Sequence, residues 1–170
     1  MRLLPAIALA CALFLPAGSV TYAQTRPQPQ GQQQQQQGGQ VLTKLNAKQV
    51  AGILQQIGYR SEVVNDKNGD YIKATINNTN VAVGFYNCDN QGCRSFQYWT
   101  YWAKDPGLNE TYANAWNKNY LFAKAYVDSD GDFDFVMDVN ADGGITVNTI
   151  AESARWFDAL LGELFKFQPK

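Results

Sequence analysis

From Asn46 to the C-terminus, hydrophobic positions follow a helical period, then a strand period, then alternate between the two. Val50, Ile53, Leu54 and Ile57 recur at helical spacing and make one apolar stripe. Asn46 followed by Gln49 has the pattern of a capping box, and Gly58 stands where a helix takes its C′ glycine. An amphipathic helix is predicted between them. Arg60 to Asn65 and Tyr71 to Ile76 read as two strands, with the turn Asp66-Lys67-Asn68-Gly69-Asp70 between them. Asn77 to Asn80 is a second polar turn.

Val81 to Cys88 and Cys93 to Trp102 form the clearest strand pair. They are dense in β-branched and aromatic residues around the turn Asp89-Asn90-Gln91-Gly92. With Cys88 opposite Cys93, Tyr86 meets Ser95, Phe85 meets Phe96, Val83 meets Tyr98 and Val81 meets Thr100. Side chains alternate across a strand. Val81, Val83, Phe85, Phe96, Tyr98 and Trp102 then share the face expected in the core. The other face holds both cysteines, small and polar residues, and three rings. Tyr86, Trp99 and Tyr101 are therefore either covered by another element or offered to a partner.

After the breaker Lys104-Asp105-Pro106-Gly107, Asn109 can cap a short helix to about Lys118 that buries Tyr112, Ala113 and Trp116. Phe122 to Val127 and Phe133 to Val139 read as strands joined by Asp128-Ser129-Asp130-Gly131-Asp132. Asn140 to Gly144 is a turn. The last helix is expected over Val147 to Phe165, with Thr149 and Glu152 as its capping box and Ile150, Ala154, Phe157, Leu161 and Leu164 as its stripe. The order is helix, four strands, helix, two strands, helix. Hairpin-length connections imply an antiparallel sheet covered by helices on at least one face, an α+β fold.

The first 40 residues have a different character. Residues 1–23 read as a secretory signal: Arg2, an apolar run from Leu3 to Leu15, and Thr21-Tyr22-Ala23 placing cleavage after Ala23. The run is short for a membrane anchor, so no membrane span is expected in the mature chain. Residues 24–40, from Gln24 to Gln40, are glutamine-rich, lack apolar residues and read as a disordered linker. The domain proper is expected over 41–170. Export changes the cysteine arithmetic. Cys11 leaves with the signal, and an oxidising periplasmic or extracellular compartment favours a Cys88–Cys93 disulfide. A redox-active pair would want C-x-x-C at a helix start, whereas this is C-x4-C in a strand turn.

Charge and chemistry narrow the function. The chain has 14 basic and 15 acidic residues among 170 and no histidine. Scattered basic residues give no grip on nucleic acid. The missing histidine removes Ser-His and Cys-His nucleophiles and most zinc and haem sites. No phosphate loop, dinucleotide glycine pattern or G-x-S-x-G occurs, so neither an enzyme nor a cofactor is expected. The acidic run Asp128, Asp130, Asp132, Asp134 invites a calcium reading. Counted from Asp128, however, position 6 is Phe133 and position 12 is Val139, where an EF-hand needs Gly and Glu. The run reads instead as a polar hairpin tip with one solvated strand face, and no metal is expected. Asn114, Trp116 and Asn117 are read as a buried tryptophan with asparagines that cap the helix end and tie down the following turn, against the alternative of a recognition site.

In this order and spacing the chain resembles the YbjN-domain family. The matching pieces are Gly58-Tyr59, Gly84-Phe85-Tyr86-Asn87-Cys88 running to Cys93, Ser95-Phe96-Gln97-Tyr98 and Asn114-Ala115-Trp116-Asn117. They continue through Ala125-Tyr126-Val127-Asp128, Asp130-Gly131-Asp132, Met137-Asp138-Val139 and Gly143-Gly144-Ile145. The resemblance implies a regulator of sensory transduction with a fold similar to type III secretion chaperones and no catalytic residues. Two functions are therefore carried forward. One is an exported interaction module that meets a protein partner, or itself, through Tyr86, Trp99 and Tyr101. The other is an envelope ligand-binding protein or weak hydrolase using the acidic turns from Asp128 to Asp142.

Overall fold

The computed structural model describes residues 39–67 and 69–168. The expected signal peptide, its cleavage after Ala23 and the linker up to residue 38 lie outside the described residues. The strands are β1 (Val41–Leu42), β2 (Arg60–Asp66), β3 (Gly69–Ile76), β4 (Thr79–Asp89), β5 (Gly92–Trp102), β6 (Ala123–Val127), β7 (Phe133–Asn140) and β8 (Ile145–Thr146). The helices are α1 (Ala47–Gln56), α2 (Glu110–Asn119) and α3 (Val147–Leu164). Six strands form an antiparallel sheet in the order β2-β3-β4-β5-β7-β6, and β1 pairs with β8 in a second, two-stranded sheet. The fold is α+β, as the periodicity predicts.

Local chemistry sets the helix limits. Asn46 accepts the Gln49 N–H at 2.9 Å, and the Gln49 side chain accepts the Asn46 N–H at 3.1 Å. At the other end Gly58, at φ +95°, lets its N–H reach the Gln55 carbonyl and the Tyr59 N–H reach that of Leu54. α3 spans the expected residues, but its cap is not the expected one. Its cap is Thr146, whose hydroxyl accepts the Thr149 N–H at 3.0 Å, while Glu152 pairs with Arg155. Pairing with β1 draws Ile145 and Thr146 into a strand, so the helix begins directly after them.

The β4–β5 hairpin has the register that the cysteines dictate. Cys88 lies opposite Cys93, Tyr86 opposite Ser95, Phe85 opposite Phe96 and Val83 opposite Tyr98. The Cys88–Cys93 disulfide is present. It closes a short loop, so its entropic contribution is about 2 kcal/mol, enough to hold register but not a domain.

One sheet face carries the core. Ile72, Val83, Tyr98 and Phe135 are fully buried and join residues from all three helices in a single cluster. Tyr98 stacks on Phe157 of α3 at 5.1 Å, and Trp116 of α2 meets Phe135 edge-on at 5.3 Å.

α2 also closes one edge of the sheet. The Trp116 indole N–H donates to the Ala123 carbonyl at 3.0 Å. The Asn117 side chain accepts the Ala125 N–H at 2.9 Å and donates to the Ala125 carbonyl at 2.8 Å. Its amide thus stands in for a neighbouring strand on β6. Unpaired strand edges invite pairing with other chains, and a side-chain cover blocks it. The Asn114-Trp116-Asn117 group is therefore structural at Trp116 and Asn117. Asn117 ties down a strand rather than the turn expected for it.

Candidate functional site

Because the helices gather on one face, the other is bare at its centre. Alternation along β5 sends Gln97, Trp99 and Tyr101 to this side, opposite the buried Phe96, Tyr98 and Thr100. Trp99 and Tyr101 stack on one another at 5.3 Å and remain 38% and 51% exposed. Tyr86 is 52% exposed and leans back over Gly84, where an added Cβ would meet its hydroxyl at 3.3 Å. An aromatic side chain folded over a strand glycine covers backbone that would otherwise be open. The structure therefore places all three sequence-predicted residues, Tyr86, Trp99 and Tyr101, on one open face.

Further members of the face come from strands that the sequence does not place beside them. β7 inserts between β5 and β6, setting Val136 opposite Trp99 and both Asp134 and Tyr126 in the row of Tyr101. β3 adds Tyr71 from the other side. Trp99, Tyr86, Tyr126 and Asp134 line a common groove of about 710 Å³ whose floor is Ala82 and Gly84.

The carboxylates of this face differ sharply. Asp138 is drawn upward by partial burial, but hydrogen bonds from Gln97 and Lys124 hold its carboxyl below the usual range. Asp134 goes the other way: burial raises it, opposed by the hydrogen bond from the Trp99 indole. The expectation of a solvated strand face is corrected at Asp134, which is only 4% exposed, while Asp138 on the same face of β7 stays exposed. β7 is an interior strand, and the large side chains of its neighbours shade it. At the hairpin tip, Asp128 is occupied locally, its Oδ1 accepting the N–H groups of Asp130 and Asp132 at 2.9 Å each. Among the described residues, no group of three or more His, Cys, Asp or Glu side chains is disposed to hold a metal ion. The groove is open along its length rather than an enclosed cleft, and a hydrolase reading finds no support in it.

The site is thus a solvent-facing aromatic sheet surface on a helix-backed α+β domain. The chain belongs to the YbjN family, described as a putative bacterial sensory transduction regulator, whose model matches residues 46–167. No match was found among curated proteins. Among the described residues, no helix is long and apolar enough to cross a membrane.

Proposed function

We propose that the protein is an exported, non-catalytic interaction module with a regulatory role, working through the open sheet face. The observation that carries this is the Trp99–Tyr101 stack, held at mid-sheet yet left exposed. Rigid aromatic side chains of this kind are the usual anchors of protein–protein contact. The family description supports a regulator. The N-terminal signal pattern supports export to the periplasm or beyond, and a structural disulfide accords with an oxidising compartment.

Trp99→Ser combined with Tyr101→Ser is expected to abolish partner capture or self-association. Each anchor contributes about 2 kcal/mol or more, roughly thirtyfold in affinity. Pull-down from the envelope fraction and sedimentation check this, with a cooperative thermal melt as the control for folding. A folded double variant that still captures its partner would sink the proposal.

A further inference from the structure

The groove over Ala82 and Gly84 is chemically one-sided. Four aromatic rings and three carboxylates line it and, among the described residues, no basic side chain does. Asp134 sharpens the asymmetry. It is more than nine-tenths buried, yet among the described residues its side chain makes one hydrogen bond, accepting the Trp99 indole N–H on Oδ1. Oδ2 has no hydrogen bond or ion pair among the described residues. No sealed side-chain polar atom among the described residues lacks a partner, so Oδ2 is not fully sealed, and Asp134 lines the groove. Lys124, the nearby cation on β6, is engaged by Asp138 at 3.1 Å. A carboxylate withdrawn from water without a counter-charge is costly, and an incoming cation relieves that cost.

The groove also continues on both sides. Tyr86 and Gln97 are shared with a depression lined by Arg94 and Asp142, and Ala82 and Trp99 with one lined by Lys73 and Asn80, so the acidic character belongs to the central groove. An open trough crossing several strands suits an extended chain better than a small enclosed molecule.

Resting on the reading of this face as the interface, we propose that the groove seats an arginine side chain from an extended segment of the protein partner. The guanidinium lies against the rings of Trp99, Tyr86 and Tyr126 and donates to Asp134 Oδ2. Guanidinium groups combine stacking on aromatic faces with directed hydrogen bonds to carboxylate, and both are offered here.

The test uses ¹⁵N-labelled protein and two synthetic peptides, Gly-Arg-Gly-Arg-Gly and the same peptide with citrulline for arginine. Citrulline keeps the shape and removes the charge. The arginine peptide is expected to shift the Trp99 indole N–H resonance saturably. The citrulline peptide should bind at least tenfold more weakly, as should the arginine peptide to Asp134→Asn. The Trp116 indole resonance reports that the fold is intact. Should Asp134→Asn fail to fold, the two peptides on the unaltered protein decide alone. Equal binding of both peptides, or an unmoved Trp99 signal, overturns the proposal. If the Trp99 and Tyr101 substitutions still abolish partner capture in that case, the face remains the interface and only its preference for a cation is lost. If capture also survives those substitutions, both readings fall.

Discussion

Trp116→Ala is expected to lower the unfolding free energy by about 3–5 kcal/mol, the range for emptying a buried aromatic site. Trp116 is fully buried, stacks on Tyr120 at 3.9 Å and meets Phe135 and Phe167 edge-on at 5.3 and 5.7 Å. Three elements lose contact at once: α2, β7 and the segment after α3. The substitution also removes the donor to the Ala123 carbonyl, leaving an edge-strand acceptor without its partner. Small domains hold only about 5–15 kcal/mol in total, so this is a large share. Urea unfolding followed by circular dichroism should show the midpoint falling by about 2 M. A loss below about 1 kcal/mol would place Trp116 outside the core and revive the recognition reading of Asn114, Trp116 and Asn117.

Gly92→Ala is expected to cost about 3 kcal/mol, although it adds only one methyl group to a half-buried turn residue. Gly92 sits at φ +133°, a conformation that L side chains rarely adopt. The new Cβ would also lie 2.8 Å from the Leu45 carbonyl oxygen. That carbonyl accepts the Cys93 N–H at 2.8 Å, and the Leu45 N–H donates to the Cys93 carbonyl at 2.9 Å. Either the turn opens or this bridge breaks, and each hydrogen bond contributes about 1 kcal/mol. The Lys44–Asp89 ion pair beside it would be disturbed as well. The clamp is therefore more than a local staple, since it fastens the hairpin tip to the segment leading into α1. Hydrogen exchange at the amides of Leu45 and Cys93 checks this directly. Unchanged protection in the variant would contradict it.

Much of this was legible in the residues. The cysteine pair fixed one register, and alternation then sorted Tyr98 inward and Trp99 outward correctly. Helices α1 and α3 announced themselves through stripes that pack as expected. What was hidden depends on contacts distant in sequence. Nothing local says that β7 slots between β5 and β6, because α2 separates β5 from β6 in the chain and β6 takes the edge. Without that order, Tyr126 cannot be seen beside Asp134, nor Asp134 beneath Trp99, and the aspartate looks solvated. β1 and β8 are two residues long each, too short for any period to register. The Asn117 amide reads as a helix-end residue until the strand it serves is placed.

The site has a rival on the surface. Leu121, Phe122 and Trp156 are also exposed, with Phe122 and Trp156 in contact at 5.5 Å and Phe122 held at φ +72°. A single measurement separates the two surfaces: hydroxyl-radical footprinting of the protein alone and bound to any partner that the pull-down yields. If the open sheet face is the working surface, Tyr86, Trp99 and Tyr101 become protected while Phe122 and Trp156 stay as reactive as before. Protection of Phe122 and Trp156, with Trp99 and Tyr101 still oxidised, would contradict it.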